Sequence, residues 1–288
     1  MSSEPNAEQR QYWNEVAGPR WVRFQERLDR ELTALADLAL ERAAAAPGEA
    51  ALDVGCGCGA TTLELGRRVG ARGRVLGVDV SQPMLARARE RAAAAGLAQV
   101  EFLEADAQTA ALDPGAFDLL FSRFGVMFFA DPAAAFANLR RALRPGARVA
   151  FLCWQRLAEN PWIMVPLAAL AKHVELPPPP APDAPGPFAF ADAQRVQRLL
   201  ERGGLADVAF EDLRLPFLLG GGGLDDAVEF SLEIGPASAA LREANAGPEL
   251  RARVASAVRE ELAEFVDPQG RVAMPSAAWL VSARNPSR

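Results

Sequence analysis

The sequence predicts an α/β protein built on a doubly wound parallel sheet. Three observations predict it. Residues 50–80, AALDVGCGCGATTLELGRRVGARGRVLGVDV, read as apolar strand, glycine loop, helix, apolar strand and terminal acid. Strand-like and helix-like runs then alternate as far as Trp154, the pattern of βαβ units. Half of the 288 residues are hydrophobic, enough to bury a sizeable core.

Residues 5–47 read as two helices. The first holds Tyr12, Trp13 and Asn14; the second spaces Trp21, Phe24, Leu28, Leu32, Leu35 and Leu38 at helical intervals, and Pro47-Gly48 stops it. That stripe is mostly core. Tyr12 and Trp13 lie on a short polar segment and are candidates to cover a ligand. The first strand, Ala50–Val54, meets the glycine loop, and a helix from about Ala60 to Val69 leads to the second strand, Val75–Val80. Ser81 is placed to N-cap a helix with Pro83 in its first turn, ending at Gly96. Val100–Glu104, Phe117–Ser122 and Ala147–Trp154 read as the third, fourth and fifth strands, with a helix opened by Asp131-Pro132 and a turn at Leu143–Gly146.

Beyond Trp154 the alternation loosens. An apolar helix from Asn160 to about Val174 precedes seven prolines within Pro177–Pro187, a stiff run that cannot pair inside a sheet. A helix over Phe190–Arg202 and a strand over Val208–Leu219, interruptible at Pro216, follow. Gly220–Gly223 is a flexible joint, 224–265 reads as helical, and Arg271–Arg284 as a last strand kinked near Pro275. Residues 1–48 are therefore expected to form an N-terminal helical cap on a core of 49–288, which carries insertions at about 155–188 and 220–268. Insertions near the carboxyl ends of strands are where substrate lids form.

The net charge is −6 with no dense basic run, which argues against a nucleic-acid partner. Lys172 is the sole lysine. Cys56, Cys58 and Cys153 give neither a disulfide framework nor, with one histidine in the chain, a metal site. The leading residues MSSEPNAEQR do not read as a signal peptide, and no apolar stretch has the length of a membrane span. The expectation is a reduced, cytoplasmic, soluble protein, monomeric or homodimeric, without a metal and without a membrane or nucleic-acid partner.

Glycines let the loop turn sharply and let a ligand approach the backbone, while the following helix aims its free N–H groups at that loop. Asp79, twenty residues past Gly59, sits at a strand tip where a carboxylate can accept both hydroxyls of a ribose. Such bonds are worth roughly 1.5–3 kcal/mol each. Gly55-x-Gly57-x-x-Ala60 also satisfies the dinucleotide fingerprint, so an NAD-dependent oxidoreductase is an alternative. Against it stand Asp53 just before the loop, a second acid at Asp106, and the lack of a Ser or Tyr with a nearby Lys; Tyr12 is the only tyrosine.

The ordered segments ALDVGCGCG, VLGVDVS, LEADAQ, FDLLFSRFGVMFF and RALRPGARV resemble a class I S-adenosylmethionine-dependent methyltransferase of the small-molecule type over about residues 10–155. The resemblance implies a Rossmann-like, seven-stranded, mostly parallel sheet whose last strand is antiparallel, and S-adenosyl-L-methionine as cofactor. It assigns Asp53 and the loop Gly55, Cys56, Gly57 and Gly59 to the methionine part, and Asp79 to the ribose. Val80 and Met84 flank the adenine, and Asp106 and Ala107 meet its amino group. Ser122 and Arg123 end the strand whose carbonyls face the cofactor's own amino group. Other roles stay open: Asp53 as a tie for loop amides, Asp106 as a turn residue, Arg123 as half of a salt bridge.

Methyl transfer is a one-step displacement, so the protein chiefly aligns the reactants, and a base is required only where the acceptor must lose a proton. His173, the sole histidine, is the one candidate base; the competing reading is an ordinary helix-end histidine. Trp162, Met164, Phe188, Phe190, Phe217 and Phe230 of the later segments divide between core and cavity wall. Tyr12, Trp13, Met127 and Trp162 are the expected acceptor-lining side chains. They imply a small hydrophobic or aromatic acceptor, quinone-like or polyketide, of secondary metabolism. Cofactor motifs report binding and not turnover, so a binder without methyl transfer remains a further alternative.

Overall fold

The structure, a computed structural model, describes residues 5–176 and 178–287. The first four residues of the polar leader, and Pro177 of the proline run, lie outside the described residues.

Seven strands form one sheet in the order β3-β2-β1-β4-β5-β7-β6. They are β1 (Ala50–Val54), β2 (Arg74–Asp79), β3 (Val100–Glu104), β4 (Phe117–Arg123), β5 (Leu143–Trp154), β6 (Ala206–Leu219) and β7 (Val272–Arg284). The first five pair in parallel, and β7 lies antiparallel between β5 and β6. Every residue of β1 is buried, as a central strand covered on both faces requires.

The N-terminal helices are α1 (Ala7–Gln11), a π-helical turn over Tyr12–Val16, α2 (Ala17–Arg23) and α3 (Gln25–Ala43). The segment is thus more broken than two helices. α3 packs directly on β5 and β6 beside α4 (Ala60–Val69), and α2 packs on α5 (Gln82–Ala94). α6 (Pro132–Ala142) and α8 (Ala193–Arg202) pack together, against β5 and β6. The first insertion holds α7 (Pro161–Ala171), and the second holds α9 (Leu224–Glu233), α10 (Pro236–Glu243) and α11 (Pro248–Leu262); α10 and α11 each pack against both α7 and α9. No helix of the described residues is long and apolar enough to cross a membrane.

Two boundaries differ from the sequence expectation. The Leu143–Gly146 segment is already paired: Phe117 faces Leu143, and a register shift near Leu119 absorbs the extra residues. Pro216 does not interrupt β6. It faces Pro275 of β7, and there β7 has passed the end of β5, whose last paired residue is Trp154 opposite Ala278. Two residues lacking an N–H meet where β7 has β6 as its only neighbour, so no inner rung of the sheet is lost.

Candidate functional site

The glycine loop joins the end of β1 to α4 and is hydrogen-bonded to the end of β2. Gly55 has φ +67°, and a Cβ there would lie 2.5 Å from Gly125 Cα; Gly57 has φ +55°, and its Cβ would lie 2.7 Å from the Met84 methyl. A side chain at Gly55 meets the Gly125 backbone, and one at Gly57 is strained by the positive φ, so the loop requires glycine at both positions. Asp79 fixes this loop from the β2 tip: Gly57 N–H donates to its Oδ2 at 2.8 Å, and Ser81 N–H to its Oδ1 at 2.9 Å. Burial raises the Asp79 pKa against those two donors. Each carboxylate oxygen retains a lone pair for a further donor.

Asp53 is wholly buried at the end of β1. Its Oδ2 accepts from Thr61 Oγ1 at 2.8 Å and Thr62 Oγ1 at 2.7 Å, both in the first turn of α4. Its Oδ1 has no donor among the described residues. Burial pushes this carboxyl up to about 6, opposed by the two threonines and Arg123. A buried acceptor without a partner costs roughly 1–3 kcal/mol, and the donors that Asp53 does have are hydroxyls of α4 and not loop amides.

Arg123 ends β4, with 12% of its side chain exposed, and its nearest carboxylate is Asp29 of α3 at 3.9 Å. Burial lowers its pKa, while Asp29 and Asp53 oppose that. Asp29 also accepts from Arg91 at 2.7 Å, and Arg91 donates to the Cys58 carbonyl at 2.6 Å. Ser122 is buried and its hydroxyl accepts from Gly125 N–H at 3.1 Å. After β3, Asp106 Oδ1 accepts from Gln108 N–H at 2.9 Å and Asp106 Oδ2 from Asn6 Nδ2 at 2.8 Å. Ala107 is buried, its carbonyl held by Asn138 at 3.0 Å. The Val80 carbonyl accepts from Asn14 Nδ2 at 2.8 Å, and Met84 is buried under Gly57.

The three cysteines are free and buried. Burial raises the Cys56 thiol well above its ordinary value and Cys58 to about 12, so neither is a nucleophile near neutrality. Among the described residues no group of three or more His, Cys, Asp or Glu is placed to hold a metal ion.

An aromatic run leaves the same strand tips. Phe124 follows Arg123 and stacks on Trp154 of β5 with centroids 4.1 Å apart. Trp154 lies 5.1 Å from Trp162 of α7, which stacks on Phe217 of β6 at 4.2 Å. Phe124 is one of few non-glycine residues at positive φ, +63°. Beyond Trp162 is an apolar pocket of about 20 Å³ walled by Ile163, Pro166, Leu219, Phe230 and Ile234. Trp13 packs edge-on against Tyr12, Trp21 and Phe128, and Tyr12 is exposed. Met127 is 1% exposed, its sulfur facing Trp154 N–H at 3.5 Å. It therefore backs the aromatic run rather than facing an open cavity. His173 is exposed in the turn after α7, beside the Lys172–Glu261 ion pair, and shares no hydrogen bond with the residues above.

Sequence reasoning brought Asp53, Asp79, Ser122, Arg123 and the glycines to one end of the sheet, and the structure assembles them there. It missed Asn6, Asn14, Asp29 and Arg91. Their partners lie 62 to 100 residues away, and the signal available was three polar residues in an otherwise amphipathic N-terminal segment.

Residues 51–146 match a family model described as a methyltransferase domain. An aklanonic acid methyltransferase of Streptomyces sp. (strain C5) is 36% identical over 36% of this chain and 47% of its own length. A demethylmenaquinone methyltransferase of Thermus thermophilus is 44% identical over 40% of this chain and 50% of its own length. The matches span 30–53% of the length of the curated relatives. A solved phosphoethanolamine N-methyltransferase of Haemonchus contortus, in complex with S-adenosyl-L-methionine, shares the fold at 19% identity, TM-score 0.54, over 88% of this chain and 53% of its own. The dinucleotide-binding sheet ends in parallel order 3-2-1-4-5-6, whereas here antiparallel β7 is wedged between β5 and β6. Residues 51–146 thus match a methyltransferase domain, and the sheet that carries them has the antiparallel last strand that the resemblance to class I S-adenosylmethionine-dependent methyltransferases implies.

Proposed function

We propose that the protein transfers a methyl group from S-adenosylmethionine to a small, largely apolar or aromatic acceptor of the quinone or polyketide kind. The observation that carries this reading is the aromatic run Phe124–Trp154–Trp162–Phe217. It begins at the strand tip beside the acid-lined loop and ends at an apolar pocket. Two relatives named for acceptors of that kind, aklanonic acid and demethylmenaquinone, support it.

The residues fit the cofactor. The unpartnered Asp53 oxygen suits an ammonium group, Asp79 a ribose, and Asp106 an exocyclic amine, with Val80 and Met84 supplying apolar surface. The bound cofactor supplies an electrophilic sulfonium methyl. The chain supplies alignment and a dry enclosure, since a displacement of this kind is limited by geometry. The pocket of about 20 Å³ has room for one water and no acceptor. The helices α7, α9 and α10 around it therefore part for acceptor entry and close afterwards.

The test is acceptor-dependent release of S-adenosylhomocysteine with a panel of hydroxylated naphthoquinones and anthraquinones. Release with members of that panel supports the proposal. Release only with transfer RNA or protein, or binding without release, sinks it.

A further inference from the structure

We propose that Asn6, on the N-terminal segment, is a positioning residue that sets Asp106 to recognise the adenine amino group of the cofactor. The inference rests on the adenine role proposed for Asp106 above, and it adds a second residue, one hundred positions away, to that recognition.

Asn6 is buried, and its amide makes three hydrogen bonds to the segments after β3 and before α6. Nδ2 donates to Asp106 Oδ2 at 2.8 Å and to Gln108 Oε1 at 3.2 Å; Oδ1 accepts from Ala130 N–H at 2.6 Å. Gln108 Oε1 in turn accepts from Asp131 N–H at 3.0 Å. One side chain thus joins the segment after β3 to the loop before α6. Asn6 has φ +59°, a left-handed conformation that Asn and Gly tolerate and other residues resist. Both the backbone and the amide therefore specify this residue.

The consequence for Asp106 is orientation. Its two oxygens are each held by one donor, Gln108 N–H on one side and Asn6 on the other. Without Asn6, the half-exposed carboxylate is held through Oδ1 alone and turns about its Cβ–Cγ bond. A carboxylate fixed on both sides presents its remaining lone pairs in one direction, which is the condition for choosing an amine over a carbonyl. The hydrogen bonds from Asn14 to Val80 and from Ser81 to the Trp13 carbonyl, at 2.8 Å each, hold the same segment to the β2 tip, where the adenine's other neighbours lie.

The experiment measures, by calorimetry, the affinities of S-adenosylhomocysteine and S-inosylhomocysteine, which replaces the exocyclic amine by a carbonyl. Proteins are wild type, Asn6→Gly, which keeps the left-handed backbone, Asn6→Ala and Asp106→Ala. Wild type is expected to favour the adenosyl compound by about tenfold or more, the worth of one charge-assisted hydrogen bond. In Asn6→Gly and Asn6→Ala that preference falls to about threefold or less, approaching Asp106→Ala. The ratio is read because a merely loosened segment weakens both ligands alike. A ratio unchanged in both Asn6 variants overturns the role of Asn6 alone. Equal affinities in wild type overturn the adenine role of Asp106 with it. Tighter binding of the adenosyl compound by Asn6→Gly overturns the proposal too, since the amide would then compete with adenine.

Discussion

Glu31 of α3 and Gly220 at the end of β6 are joined by a buried hydrogen bond, the Gly220 N–H donating to Glu31 Oε1 at 2.7 Å. Gly220 has φ +77°, and a Cβ there would lie 2.4 Å from Ala227 N, so the chain turns tightly into α9 at this point. One turn earlier on α3, Arg27 pairs with Asp226 and Glu229, each at 3.3 Å. The N-terminal helix therefore grips the start of the second insertion.

That grip depends on pH. Burial raises the Glu31 carboxyl from its ordinary 4.5 to about 8, against the pull of Gly220 N–H, Arg27 and Arg30. The folded state holds a proton there that the unfolded chain releases, so stability is fully present below pH 4.5 and is lost as pH rises towards 8. Each tenfold change in proton affinity is worth about 1.4 kcal/mol. Glu31→Gln keeps the acceptor and removes the titration. It should match wild type at pH 5 and exceed it at pH 8.5, by on the order of 2 kcal/mol in urea denaturation. Parallel stability profiles for the two proteins would refute this account. Asp53 adds the same sign at lower pH, up to about 6, and is present in both.

In the proposed site, Asp53 is expected to tie cofactor affinity to pH in the opposite sense. An ionised carboxylate with a free oxygen attracts the ammonium of the cofactor's amino-acid end, and protonation below about 6 removes that attraction. Affinity for S-adenosylhomocysteine should fall about tenfold between pH 7 and pH 5, and Asp53→Asn should weaken binding at pH 7 by about 10–100-fold with a flat profile. Calorimetric titration at both pH values checks it. An Asp53→Asn protein whose affinity still falls with acidity would place the titrating group elsewhere.

The stretch 50–79 was legible because one residue type there has one use: an apolar run ends in glycines at positive φ, and the next strand ends in an acid at its tip. Pro216 was misleading because a proline read alone breaks a strand, and what excuses it is Pro275, fifty-nine residues on. Asn6 and Glu31 were illegible for a related reason. A polar residue in a helical segment reads as solvated until its partner is known, and Asp106 and Gly220 are distant in sequence. The π-helical turn over Tyr12–Val16 leaves no mark in a period-3.6 pattern.

Asp79 has two tasks in the proposed site, holding the loop through Gly57 and Ser81 and accepting the ribose. Asp79→Ala should abolish the rise in unfolding midpoint that S-adenosylmethionine gives to wild type. A midpoint rise of wild-type size in the variant would remove Asp79 from the ribose.

Trp162 stands between the aromatic run and the apolar pocket, half-buried and stacked on Phe217. Trp162→Ala should cost about 2 kcal/mol of stability, less than a fully buried tryptophan. Affinity for S-adenosylhomocysteine should stay unchanged while KM for a quinone acceptor rises about tenfold or more. Loss of cofactor affinity with KM unmoved would contradict the acceptor path.

His173 tests whether transfer needs a protein base at all. It is exposed in the turn after α7, where its backbone N–H donates to the Leu170 carbonyl at 2.9 Å and its neighbour Lys172 pairs with Glu261 of α11. A positive charge at a helix C-terminus interacts favourably with the dipole, which is reason enough for Lys172 at that turn. A base must come within hydrogen-bond reach of the proton it takes, and none of the hydrogen bonds of the loop, the strand-tip acids or the aromatic run involves the imidazole. His173→Ala should therefore leave kcat within about twofold and stability within about 0.5 kcal/mol. The pH dependence of kcat should be that of wild type. A kcat lowered tenfold or more with cofactor affinity intact would restore His173 as the base and would require α7 to swing its C-terminal turn over the acceptor.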